Sequence, residues 1–192
     1  SYLATFMKLF GIHHRTEVGI RRVTADSVEL DTGEVLPSRF TMLMVPFTGV
    51  DFIRNSPKLA ATGNHFLDVL PSYRHKRYAD IWGAGLAVDV PPPFKPGRVP
   101  FGVPKTGYPS DASGKIVAEN VARTLRGRSD LVEKPWGKIP ALCVMDAGKK
   151  EVIILGSSLF RPRWFGLMIP NIFNDWGKLL LEKYFLWKLR NG

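Results

Sequence analysis

Seven prolines lie between Pro91 and Pro109, and this run constrains the fold more than any other stretch of the chain. Proline has no backbone N–H and a nearly fixed φ, so neither a helix interior nor a central strand can pass through such a segment. The run is therefore expected to be a stiff extended connection between two separate elements. Before it, Tyr78 to Val90 (YADIWGAGLAVDV) reads as a strand entering Gly83-Ala84-Gly85. Missing side chains there let a ligand or a second backbone come close. After it, Gly102 to Asn120 (GVPKTGYPSDASGKIVAEN) is a turn leading into a helix. Ser110 is a good N-cap, Val117, Val121 and Leu125 recur on one face, and Gly127 closes the helix. Strand, loop and helix are expected to converge on one ligand.

The rest of the chain carries both strand and helix signals, and the fold expected for it is of the α/β class. Residues 1 to 10 fit either strand or helix. Thr16 to Ser38 alternates apolar and polar residues around Ala25-Asp26 and Asp31-Thr32-Gly33, the pattern of a β-meander. Phe40 to Val45 (FTMLMV) is a continuous apolar run suited to a strand covered on both faces. His65 to Leu70 reads as a short strand, and 128 to 138 as a polar linker. Ala141 to Met145 and Glu151 to Leu155 flank the turn Asp146-Ala147-Gly148-Lys149 as a hairpin. A last helix is expected over Ile172 to Arg190.

Several function classes are excluded or narrowed at this level. A net charge of +10 favours an anionic partner, whether nucleic acid, a phosphate-bearing cofactor or an anionic membrane surface. The single cysteine, Cys143, excludes an internal disulfide framework and a thiolate metal cluster made by this chain alone. The four histidines, His13, His14, His65 and His75, lack metal-site spacing, so no metal is expected. No run of 18 uncharged apolar residues exists for a membrane span, and no signal peptide opens the chain. Ser1 already lies inside an apolar pattern, so a piece of a longer protein is expected. Tyr73 to Tyr78 (YRHKRY) has the composition of a nucleic-acid patch, but a solvated loop before a strand explains it more simply, and no nucleic-acid partner is expected.

Three places can carry chemistry. Unpaired N–H groups at the helix start around Tyr108 to Ser110 favour an anion, with Lys105 adding a full charge; an ordinary capped surface helix fits equally well. Cys143, inside an apolar strand, is either a small buried hydrophobe or a reactive thiol. The terminal helix places Ile172, Phe173, Trp176, Leu179, Leu180, Tyr184, Leu186 and Trp187 on an arc of roughly 160°. Asp175, Lys178, Glu182 and Lys188 lie opposite. That stripe suits either a membrane interface or packing against protein.

Taken in order, Pro46-Phe47-Thr48-Gly49, Tyr78 to Val90, GVPKTGY at 102 to 108, Cys143-Val144-Met145-Asp146-Ala147-Gly148 and EKYFLWK at 182 to 188 resemble the C-terminal half of sulfide:quinone oxidoreductases and their flavoprotein relatives. The resemblance implies two Rossmann-like FAD/NAD(P)-type domains, FAD as cofactor, and a peripheral, membrane-associated enzyme. It divides the chain into 1 to 45, the end of a second dinucleotide-type domain, 46 to 127, the C-terminal part of the FAD domain, and 128 to 192, a quinone- and membrane-associated region. The glycine-rich FAD fingerprint has no counterpart here, so the N-terminal half of the protein is expected to be a missing partner.

By the same resemblance Gly85 and Leu86 lie along the FAD ribityl and phosphate region. Related flavoproteins carry aspartate where Leu86 stands, which leaves no side-chain hydrogen bond at that place. Lys105, Thr106 and Gly107 approach the isoalloxazine ring. Cys143 matches the most C-terminal of three redox cysteines that pass electrons from sulfide to flavin. Phe173, Trp176, Tyr184, Phe185 and Trp187 belong to the quinone and membrane region. Two alternatives stay open: a type II NADH:quinone dehydrogenase-like flavoprotein, and a basic membrane-associated binding module without chemistry.

Overall fold

The computed structural model describes residues 2–63, 65–91, 97–99, 103, 106–146, 151–160, 163–171 and 176–191. The chain divides into two compact units, Ser1–Phe47 with Phe94–Gly102, and Thr48–Pro93 with Val103–Gly192.

In the first unit, the ambiguous opening is a helix, α1 (Tyr2–Leu9). The alternating stretch is the expected meander, an antiparallel sheet of β1 (Ile20–Val23), β2 (Ser27–Leu30) and β3 (Val35–Pro37) in that order. Its turns carry their own chemistry: Thr24 Oγ1 donates to Asp26 Oδ1 at 2.8 Å, and Gly33 takes a φ of +89°, where a glycine suffers no Cβ clash. Arg98 ties its segment to the sheet, with Nη1 donating to Asp31 Oδ2 at 2.8 Å and Nε to Glu17 O at 2.9 Å. The Arg98 guanidinium holds the Asp31 carboxyl below the usual carboxylate range.

The apolar run Phe40 to Val45 is not a strand, which corrects the sequence expectation. Phe40 is 82% exposed and Met44 77%. After Pro37 the Ser38 hydroxyl donates to Phe40 O at 2.9 Å and lies 2.8 Å from Thr41 Oγ1. These local bonds offer the backbone an alternative to a ladder.

The second unit begins with a short helix, α2 (Asp51–Arg54), just after Gly49. A Cβ at Gly49 would fall 1.5 Å from His65 O, so the Pro-Phe-Thr-Gly turn needs its glycine for close backbone approach. The strands expected over His65 to Leu70 and Tyr78 to Val90 are absent as such. Isolated bridges take their place, Ala60 to Leu67, Leu67 to Val88, Val69 to His75 and Arg74 to Trp82. A 3-10 turn, Gly85–Ala87, interrupts the second stretch. The basic loop between them is not solvated throughout, because Tyr73 and His75 are buried while Lys76 and Arg77 are exposed. His75 Nδ1 accepts from the backbone N–H groups of Arg77 and Tyr78, each at 3.0 Å, so its ring proton sits on Nε2 and faces Leu59 O at 3.1 Å.

Helix α3 (Gly107–Leu125) is the spine of this unit. It starts three residues before the expected cap. Pro109 sits in its first turn, where the missing N–H has no helical partner to lose. Ser110 Oγ donates to Thr106 O at 2.8 Å from inside the helix. The buried face is Pro109, Ser113, Ile116 and Asn120, not the expected Val117, Val121 and Leu125; Leu125 is 83% exposed. The buried polar pair is affordable because it is hydrogen-bonded. Asn120 Nδ2 donates to Ser72 O at 3.0 Å and Val132 O at 2.9 Å, and its Oδ1 accepts from Val132 N–H at 2.7 Å.

The core packs Tyr73, Val88, Val103, Ile116, Trp136 and Ile139 together. The segment read as a polar linker therefore contributes a core residue, Trp136, from the 3-10 turn Trp136–Lys138, and Ile139 follows directly at the turn's exit. Replacing Asn120 by alanine strands the Val132 N–H and two carbonyls in a buried site. We expect a loss of about 2–4 kcal/mol and a midpoint lower by roughly 5–15 °C in thermal denaturation of the intact protein; an unchanged midpoint would assign the network no net stability.

The two expected strands are present as an antiparallel pair, β4 (Ala141–Asp146) and β5 (Glu151–Gly156), with Cys143 opposite Ile154; Ala147, Gly148 and Lys149 of the expected turn lie outside the described residues. A third antiparallel strand, β6 (Gly166–Asn171), joins β5. The final helix, α4, spans Trp176–Asn191; Ile172 to Asp175 lie outside the described residues.

Candidate functional site

Of the residues expected to hold a cofactor, Gly85 lies against the opening turns of α3, on which Gly107 stands with Thr106 at the N-cap. Gly85 has a φ of +66°, and its N–H donates to the buried Ser113 Oγ at 2.9 Å. A Cβ there would lie 3.2 Å from Ser110 Cβ. The glycine thus satisfies two demands at once, a left-handed backbone and close seating on a helix. Thr106 occupies the N-cap position of α3 but makes no capping hydrogen bond with its side chain. Gly107 opens the helix with nothing within 4 Å of where a Cβ would stand. Helix N–H groups that the Thr106 side chain does not cap, with no described residue against Gly107, are suited to an anionic or electron-rich ligand edge. Leu86 is exposed next to this junction. Lys105 lies outside the described residues.

Cys143 is exposed on β4 rather than buried in it. Its strand neighbour Ala141 is buried, whereas Leu142 and Val144 are half-buried.

Helix α4 carries its apolar residues outward. Trp176 is 69% exposed, Leu180 65% and Trp187 62%, and Leu179, Tyr184 and Leu186 also face solvent. Lys183 and Arg190 interrupt this stripe, while Gly177, Leu181, Phe185 and Lys188 are half-buried on the other side. Phe173 lies outside the described residues. Among the described residues, no helix is long and apolar enough to cross a membrane.

A feature the sequence reading missed is a cavity of about 470 Å³ in the second unit. Val69, Tyr73, Val90, Trp136, Lys138 and Phe160 are among its lining residues, and none of the expected site residues that are described lines it. Tyr73 adopts a φ of +66° on its wall, a strained conformation for a bulky side chain. Burial pushes the Tyr73 phenol up to about 12, so it stays protonated and donates to Lys134 O at 2.9 Å. Tyr73 and Lys76, which line it, stood in the stretch 73 to 78 that the sequence reading assigned to a solvated loop.

A scan against protein-family models finds no match. The chain is 30% identical over 172 residues to the sulfide-quinone reductase of Aquifex aeolicus, covering 89% of this chain and 39% of that protein. The X-ray structure of the sulfide:quinone oxidoreductase from the same hyperthermophilic bacterium superposes with a TM-score of 0.87 and 26% identity. That likeness covers 99% of this chain and 44% of the other. The chain thus spans about two fifths of the length of these relatives. In sequence and in α/β fold, the chain is sulfide:quinone oxidoreductase-like.

Proposed function

We propose that this chain supplies the C-terminal part of an FAD-dependent oxidoreductase that carries electrons from sulfide to a membrane quinone. The observation that carries the reading is the junction of Gly85 with the opening turns of α3 at Thr106 and Gly107, where the Thr106 side chain makes no cap, in a chain that resembles sulfide:quinone oxidoreductases over almost its whole length. These residues fit FAD, because unpaired helix N–H groups stabilise negative charge on an electron-rich ring. When bound, FAD supplies the two-electron relay between donor and quinone.

In this reading residues 46 to 127 hold the cofactor, 1 to 45 finish a second dinucleotide-type domain, and 128 to 192 face quinone and membrane. Gly85 and Leu86 flank the ribityl and phosphate region, and Lys105, Thr106 and Gly107 edge the ring. Cys143 would be the thiol at which sulfide is oxidised, which its exposure on β4 permits: joining a sulfide sulfur to the Cys143 sulfur releases two electrons and two protons, and the electrons would go to FAD as the oxidant. Trp176, Tyr184 and Trp187, on the exposed side of α4, are the apolar surface for lipid and quinone; Phe185 is half-buried on the opposite side and so stands apart from that surface, and Phe173 is assigned to it by the resemblance alone.

The test is reduction of bound flavin in the intact protein. Bleaching by sulfide and not by NADH is expected. Bleaching by NADH alone would favour the type II NADH:quinone dehydrogenase-like reading, and a protein that binds no flavin would leave a basic membrane-binding module. A second test needs no turnover. Gly85→Ala forces a β-carbon into a left-handed conformation, at a cost of about 1–2 kcal/mol, and presses it against Ser110. FAD affinity followed by fluorescence titration should fall about tenfold or more, and equal affinity would remove Gly85 from the cofactor site.

A further inference from the structure

Among the described side chains, the half-buried side of α4 carries one charge, Lys188, that the exposed stripe does not explain. Lys183 and Arg190 stand on the exposed side with the aromatic residues, where long side chains can reach headgroups. Lys188 instead turns inward, and its ammonium donates to Asp111 Oδ1 on α3. The two side chains are 29% and 24% exposed. Lys115 Nζ lies 3.2 Å from the other carboxylate oxygen, Asp111 Oδ2. One carboxylate is thus held between two cations from two helices. The hydrogen bond from Lys188, followed by the influence of Lys115, keeps Asp111 below the usual carboxylate range, so the cluster is charged at neutral pH. Asp111 stands four residues beyond Gly107, on the same opening turns of α3 that Gly85 seats against.

We propose that Lys188 is a positioning residue which, through Asp111, fixes the aromatic C-terminal helix to the first turns of α3 and so couples the seating of α4 on a lipid surface to the geometry at Thr106 and Gly107. The coupling rests on the assignment of that helix start to the flavin and of α4 to quinone and membrane. An exposed ion pair would do this poorly, since solvent screens it. A pair three-quarters withdrawn from water, with a second lysine on the free oxygen, is directional. Breaking it on one side leaves the remaining charge poorly solvated.

The experiment compares Lys188→Met and Lys188→Arg in the intact, flavin-loaded protein. Sulfide oxidation is followed with decylubiquinone in phosphatidylglycerol vesicles and, separately, with ferricyanide. Lys188→Met is expected to raise the KM for the quinone about tenfold while the ferricyanide rate stays within about twofold. Lys188→Arg, which keeps the cation, should restore the KM to within about threefold of the parent protein. Hydrogen exchange without vesicles provides an arm independent of function, and α4 amides should exchange about tenfold faster in Lys188→Met. An unchanged quinone KM with unchanged α4 exchange overturns the proposal, as does an equal loss with both acceptors. If the parent protein reduces no quinone, the functional reading fails, and the exchange result alone decides whether Lys188 holds the helix.

Discussion

Replacing Cys143 by serine in the intact protein is expected to lower sulfide-dependent flavin reduction by about a hundredfold or more. The reasoning starts from the side chain. Serine is nearly isosteric with cysteine, but its hydroxyl stays protonated at neutral pH and attacks sulfur poorly, whereas a thiol supplies a thiolate fraction. The exchange removes little packing, because Cys143 is exposed on β4 and its ladder bonds to β5 opposite Ile154 use backbone groups alone. The thermal midpoint should therefore hold while the chemistry fails. Stopped-flow absorbance of the flavin after mixing with sulfide is the measurement. A rate within about threefold of the parent would take Cys143 out of the sulfur path.

What was legible in the sequence were the elements whose signals are local. The meander at β1 to β3 follows from alternation plus turn residues such as Thr24, Asp26 and Gly33, and the β4–β5 pair follows from two apolar runs around one turn signal. Where the outcome depended on distant partners, local pattern misled. Phe40 to Val45 has strand composition but Ser38 bonds its backbone locally, and His65 to Leu70 has strand composition but finds only single bridges. The buried face of α3 was misread because Ser113 and Asn120 are polar, and their burial is permitted only by Gly85, Ser72 and Val132, which no helical period reveals. Strand β6 was hidden by Pro170, which an edge strand tolerates. Among the candidate residues, the glycine at 85 was found for the right physical reason, its need for close approach. Cys143 sat in an apolar run that favoured burial, and the structure places it in the open. The cavity beside Tyr73 and Trp136 had no reading at all, since it is assembled from four separated segments.

The second large effect concerns the stripe on α4. Trp176, Leu180 and Trp187 face water in the folded chain, so changing all three to serine costs little packing. At a membrane the balance differs, because transferring such side chains into the acyl boundary gains about 1.5–3 kcal/mol each. Losing the three together should weaken vesicle binding by about 5 kcal/mol, or between about three and four powers of ten in partition. Co-sedimentation of the intact protein with phosphatidylglycerol and phosphatidylcholine vesicles reads this directly. Lys183 and Arg190 remain in the triple variant, so the residual binding should vanish as salt is raised, whereas the parent's apolar contribution should persist. Deleting 172 to 192 should release the protein altogether and depress quinone turnover with it. If the serine variant sediments like the parent at high salt, the stripe does not enter lipid, and its aromatic residues belong instead to a contact with protein.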